Sequence, residues 1–201
     1  MPAFLFVAGF SYLLGSIPFG YILMKLFRGE DVRQTGSGNI GATNVARSSP
    51  ALGILTLVLD ALKGLAAVLF TRALFPGQDW LASVAAFMAV LGHMFSVWLK
   101  FRGGKGVATG LGSFVVLAPK AILIVVCVFV VLLLAFRYVS LASMVGVALF
   151  PILAGFLDGY RHTPSVLVLM AAATVLIIAR HHENIRRLLA GTESRFQLRH
   201  G

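Results

Sequence analysis

The stretch KFRGGKGVATGLG, residues 100–112, sets Lys105 between glycines in an otherwise apolar chain. Glycine lets backbone approach an oxyanion closely, and a helix start adds N–H groups and a positive dipole end. Lysine adds a point charge. Gly103, Gly104, Lys105, Gly106 and Thr109 are therefore candidate phosphate ligands. The segment departs from the nucleotide P-loop pattern G-x-x-x-x-G-K-[ST]. Leu99 stands where the first glycine belongs, and Gly106 where a magnesium-binding hydroxyl belongs. That argues against ATP hydrolysis and leaves anion binding. The plainer alternative is a basic anchor at a membrane edge.

Three further polar clusters interrupt the apolar runs. GSGNIGATNVAR (36–47) offers Gly36 and Gly38 for turns, Ser37, Asn39, Thr43 and Asn44 as hydrogen-bonding groups, and Arg47 as a fork for an oxyanion. A polar turn capping the next helix through Thr43 or Asn44 is the alternative. Its G-x-G-x-x-G spacing does not signal a dinucleotide fold, because no strand precedes it. RYVSLAS (137–143) brings Arg137 to the start of a span. Ser140 and Ser143 follow on one helical face, to meet a phosphate or to bond back to the helix. RHHENIRR (180–187) sets His181 and Asn184 on one face, with Arg180 and Glu183 spaced for a structural ion pair. Its His-His-Glu run lacks metal-site spacing.

Inside the spans, Asp60 and Lys63 are three residues apart and are expected to pair structurally, and His93 to bond across helices. Carboxylates are too few for two-metal phosphoryl chemistry. Repeated aspartates of the CDP-alcohol phosphotransferase type and a His-x-x-x-x-Asp acyltransferase dyad are both absent.

What positions these clusters is a membrane bundle. Of the 201 residues 59% are hydrophobic and 12% charged, against roughly 25% charged in soluble domains. The net charge of +10 is scattered between apolar runs, which excludes a nucleic-acid surface and suits anionic headgroups. Cys127 lies in an apolar run and is expected to be inert packing. The N-terminus has no basic region ahead of its apolar run, so a retained first span is expected.

Spans are expected near 3–26, 51–74, 80–99, 119–136, 139–157 and 164–180, with a short one near 106–117. If the short one crosses, 13 basic residues fall inside (Lys25 to Arg199) and only Arg72, Lys120 and Arg161 outside. If it does not, the count is 9 against 7. The positive-inside rule then predicts an all-α integral membrane bundle of seven transmembrane helices, N-terminus outside and C-terminus cytoplasmic. The whole of 1–201 forms a single polytopic domain, with all four polar clusters on the cytoplasmic face.

In order along nearly the whole chain, GSGNIGATN, LGHMFSVWLKFRGGKGVATGLG, RYVSLASM and RHHENIRRLLAGTESRF resemble the bacterial acyl-phosphate:glycerol-3-phosphate acyltransferase family. The resemblance implies a multi-pass enzyme of the bacterial cytoplasmic (inner) membrane, with no cofactor. It implies acyl transfer from acyl phosphate to the 1-hydroxyl of glycerol 3-phosphate, giving lysophosphatidic acid and phosphate at the first step of phospholipid synthesis. It assigns activity to Ser37 and Arg47, glycerol 3-phosphate binding to Gly103, Gly104, Lys105 and Gly106, and a role to His181 and Asn184, with Glu183 structural. His181, the phosphate itself or a Ser37 acyl-enzyme remain alternative routes for the proton and the acyl group. An anion or organic-phosphate transporter is the alternative from another class. It should show repeats and mid-membrane polar groups, and only Asp60 and Lys63 qualify.

Overall fold

Residues 1–196 are described in a computed structural model, which leaves Arg199 outside the described residues. Among them the chain is all-helical, and it divides into two compact units, the first Met1–Leu117 and the second beginning at Ala118.

In the first unit, proline punctuates the first span. Helix α1 (Pro2–Ser16) stops at Ile17 because Pro18 disfavours the helical conformation of the residue before it. Helix α2 (Phe19–Arg28) follows and ends on Gly29, whose φ of 67° is the left-handed cap a side chain would resist. A 3₁₀ turn (Val32–Gln34), capped by Asp31, leads to α3 (Ala42–Ser48). Ser49 then caps α4 (Pro50–Leu74). Helix α5 (Asp79–Met94) ends in a 3₁₀ turn (Val97–Leu99), and α6 (Val107–Phe114) completes the unit.

Small residues let these helices approach, as in lipid, where water supplies no hydrophobic drive between helices. Gly15 of α1 lies on the Ala89 backbone of α5, and Gly92 of α5 on the Tyr12 carbonyl of α1. Gly112 of α6 lies on Ala61 of α4, and Gly64 of α4 on Thr109 of α6. The break after α1 exposes carbonyls that need donors. Ser96 Oγ donates to the Ser16 carbonyl at 2.6 Å, and Lys63 Nζ to the Ile17 carbonyl at 2.7 Å.

The second unit holds α7 (Pro119–Phe136), α8 (Val139–Leu157), α9 (Pro164–Ala179) and α10 (His182–Leu189). The Asp158 carboxylate accepts from the Lys120 and Ala121 backbone N–H groups, which caps α7. Thr174 of α9 donates to the Val147 carbonyl of α8 at 3.2 Å.

Among the described residues, five segments are long and apolar enough to cross a membrane: Pro2–Arg28, Pro50–Leu74, Asp79–Leu99, Pro119–Phe136 and Val139–Leu157. A sixth is possible if α9 and α10, bent by 53°, count together. Helix α7 has mean hydropathy 2.9 and most of its side chains outward, which suits lipid rather than water. Cys127 is exposed on it, so the expectation of core packing is corrected. Helix α6 has eight residues, about 12 Å of rise, which is shorter than the expected 106–117 segment and well short of a bilayer core.

Candidate functional site

The two glycine-bearing loops of the first unit share one foundation. Val32, Ile40 and Val45 point down from the 30–47 region and pack with Met24 and with Leu99, the residue just before the second loop. A single apolar cluster therefore holds GSGNIGATN and FRGGKG side by side.

Asn44 organises the first loop. It is buried, its Oδ1 accepts from the Ser37 N–H at 2.8 Å, and its Nδ2 donates toward the carbonyls of Val32, Thr35 and Asn39 at 2.9–3.1 Å. Every polar atom of its amide is engaged inside the loop, so Asn44 is a brace and not the substrate ligand expected. Asn39 likewise accepts from Gly41 N–H at 2.8 Å. Gly36 and Gly38 have positive φ, and a side chain on Gly36 would collide with Asn44. Gly41 caps α3, so Thr43 and Asn44 are not the caps. Ser37, Thr43 and Arg47 are exposed on the finished loop. Asp31 is bound by Arg33, whose hydrogen bonds hold its carboxyl down at about 2. It is a fixed carboxylate and no proton donor near neutral pH.

The glycine loop differs from its expectation in one respect. The Gly103 N–H donates to the Met94 carbonyl and the Gly104 N–H to the His93 carbonyl, both at 3.0 Å. These N–H groups tie the loop to the end of α5 and are not open to an anion. The need for glycine is steric, because Cβ atoms at 103 and 104 would overlap the His93 carbonyl and the His93 ring. Lys100 and Phe101 take left-handed φ of 53° and 61°, strained for side-chain-bearing residues, and Gly106 at 86° turns the chain into α6. Lys105 is half-buried between them. Thr109 is fully buried within α6, so its expected ligand role is corrected to packing.

Asp60, Lys63 and His93 are all buried. Lys63 Nζ lies 2.7 Å from Asp60 Oδ1, off the axis of a good hydrogen bond, so charge holds the pair. His93 Nδ1 is 3.0 Å from Lys63 Nζ and 3.5 Å from Asp60 Oδ1, which extends the expected pair across α4 and α5.

In the second unit, the RHHENIRR segment straddles a helix break and does not end one continuous span. His181 precedes α10, and its ring Nδ1–H donates to the Ile177 carbonyl at 2.7 Å. That contact places the ring proton on Nδ1. Glu183 is exposed and pairs with His182 at 3.3 Å and Arg186 at 3.7 Å; the expected partner was Arg180, which is half-buried. Among the described residues no cluster has metal-binding composition.

Glu193 was not singled out from sequence, and it ties this region together. Its Oε1 accepts from Ser140 Oγ and Asn184 Nδ2, both at 2.6 Å, and its Oε2 from Arg187 Nε at 2.7 Å. Two residues expected to meet substrate, Ser140 and Asn184, are thereby held by one carboxylate. Ser143 is buried one turn along α8. The Phe196 N–H donates to the carbonyl of exposed Arg137 at 2.6 Å, which lays the tail along the same turn. The only sequence signal was the acid in LLAGTESRF, and its partners lie 53, 9 and 6 residues away.

Burial pushes the Glu193 carboxyl up, but the hydrogen bonds from Ser140, Asn184 and Arg187 outweigh it and hold it below its ordinary value. A depressed carboxylate contributes stability above the ordinary glutamate value, about 4.3, and loses it as pH falls through the lowered one. Glu193→Gln should therefore melt below the wild type at neutral pH. The gap should narrow as pH falls below the ordinary glutamate value and through the lowered one. A gap that does not change with pH would contradict the carboxylate's role.

Residues 5–191 match the family described as Glycerol-3-phosphate acyltransferase. A glycerol-3-phosphate acyltransferase of Trichlorobacter lovleyi is 48% identical, with 98% of this chain and 100% of that one covered. One of Syntrophotalea carbinolica is 46% identical, with 93% and 94% covered. A crystal structure of PlsY (YgiH), an integral membrane glycerol 3-phosphate acyltransferase, in its glycerol 3-phosphate form superposes with a TM-score of 0.90. The two are 42% identical, and 96% of each chain is covered. The lysophosphatidic acid form gives 0.87 at 41% identity, with 96% and 95% covered.

Proposed function

The chain belongs to the glycerol-3-phosphate acyltransferase family, and from that premise we propose that it acylates the 1-hydroxyl of glycerol 3-phosphate with acyl phosphate as donor. The products are lysophosphatidic acid and inorganic phosphate. The observation that carries this is the pairing of two polar, glycine-bearing segments over one apolar cluster, one carrying exposed Arg47 and the other half-buried Lys105.

Acyl phosphate is a mixed anhydride and already activated. The hydroxyl oxygen attacks the acyl carbon, the bond from that carbon to the phosphate oxygen breaks, and phosphate leaves. The hydroxyl proton passes to His181 Nε2 or to the departing phosphate. Little covalent work falls to the protein, which supplies proximity and charge. In this account Arg47, Lys105 and Arg137 neutralise phosphate, Ser37 orients it, and Asn184 and Ser140 are presented by Glu193. The glycine loop takes the phosphate of glycerol 3-phosphate. A Ser37 acyl-enzyme has no histidine in its motif to activate it.

The acyl tail enters from the bilayer. An open apolar groove of about 330 Å³, lined by Ile17, Pro18, Tyr21, Ile22, Trp98 and Leu99, suits part of an alkyl chain. The topology that fits the basic residues is seven crossings of the bacterial inner membrane. The N-terminus is outside, the C-terminus and active site are cytoplasmic, and 1–201 acts as one domain. Helix α6 with its flanks would form the short crossing. The transport reading has no observation in its favour, since the relatives are acyltransferases and the intramembrane charges are paired. Palmitoyl phosphate and palmitoyl-CoA, offered separately to purified protein with glycerol 3-phosphate, test the donor. Only the phosphate should serve.

A further inference from the structure

Three buried ionisable residues lie beneath the glycine loop, and the chemistry above does not use them. Asp60, Lys63 and His93 are 2%, 3% and 4% exposed. Charges in an apolar interior are retained only where geometry satisfies them, and in membrane spans they mark function more often than packing. Their connections here run in one direction. The Lys63 ammonium donates to the Ile17 carbonyl at 2.7 Å, lies 3.0 Å from His93 Nδ1, and is paired by charge with Asp60 Oδ1 at 2.7 Å. An ammonium cannot accept, so His93 Nδ1 accepts and the ring proton sits on Nε2. Nε2 is the ring atom that a Cβ on Gly104 would strike first, and the His93 carbonyl takes the Gly104 N–H at 3.0 Å. The next carbonyl, Met94, takes the Gly103 N–H.

We infer that His93 is a positioning residue for the glycine loop, with Asp60 and Lys63 fixing its tautomer and ring so that Lys105 is presented in one place. The triad also joins that loop to the break between α1 and α2 through Ile17. A simple ion pair would need only Asp60 and Lys63. The histidine extends the network to the loop, from the α5 end that both loop N–H groups grip. This rests on the assignment of the loop to glycerol 3-phosphate, and the test separates the two.

His93→Asn keeps a group at the Nδ1 position for Lys63 but cannot reach Gly104. In the full-length purified protein, amide exchange across residues 100–106 should quicken at least about tenfold, with α1 and α4 unchanged. KM for glycerol 3-phosphate should rise about tenfold with kcat changed less. Unchanged exchange in the loop overturns the inference. Quickened exchange with KM raised only for acyl phosphate supports the positioning role and moves the phosphate assignment to another loop. If His93→Asn does not fold, His93→Gln, which keeps an amide donor at the Nε2 position, serves instead. Near-native loop exchange and KM are expected, and loop exchange as fast as in a denatured control overturns the inference.

Discussion

Arg47→Ala and Lys105→Ala should each lower transfer at least about a hundredfold, equivalent to about 2.7 kcal/mol of transition-state stabilisation. Both substrates in the proposed reaction carry phosphate, and the leaving phosphate gains charge as the acyl carbon is attacked. A fixed cation placed against it is stronger in the transition state than in the ground state. Arg47 projects from the last turn of α3, beside the loop that Asn44 braces. Lys105 sits half-buried directly after two residues whose N–H groups bond to the end of α5, where its charge is less screened than at an open surface. Lys105→Arg should recover only part of the loss, because a planar fork does not replace a compact ammonium in a tight loop. Near-normal turnover in either alanine variant would remove that residue from the clamp.

Gly104→Ala should raise KM for glycerol 3-phosphate at least about tenfold. The added methyl overlaps the His93 ring, so either ring or loop must move. The ring is held by Lys63, which in turn holds Asp60 and the Ile17 carbonyl. The loop is the softer partner, and overpacking of this kind costs about 1–3 kcal/mol. Its displacement breaks the Gly104 N–H bond to the His93 carbonyl and carries Lys105 with it. Gly9→Ala, at a helical glycine with open space around it, should leave both KM and melting temperature unchanged. If Gly104→Ala binds glycerol 3-phosphate normally, the loop is not its site.

The membrane character, the all-helical class and the location of the polar loops were legible because each follows from local composition. So was the Asp60–Lys63 pair, since three-residue spacing on a helix leaves little choice. The break after α1 had a signal in Pro18; the break before α10 falls at Arg180–His181 and had none. Loop chemistry was misread wherever tertiary bonds decide it. Glycines at 103 and 104 looked like anion donors, yet their N–H groups close onto α5. Asn44 looked like a ligand, yet its amide closes its own loop. Glu193 was invisible because a carboxylate becomes a hub only once Ser140, Asn184 and Arg187 are brought to it. The short α6 shows the limit of hydropathy, because its apolar flanks at 115–117 leave the helix.

The most direct measurement is the stoichiometry of transfer by purified protein given palmitoyl phosphate and glycerol 3-phosphate in metal-free buffer. Inorganic phosphate and lysophosphatidic acid should appear in equal amounts, and release of phosphate should require glycerol 3-phosphate. Phosphate released without glycerol 3-phosphate, or no lysophosphatidic acid from folded protein, would contradict direct transfer from a clamped acyl phosphate.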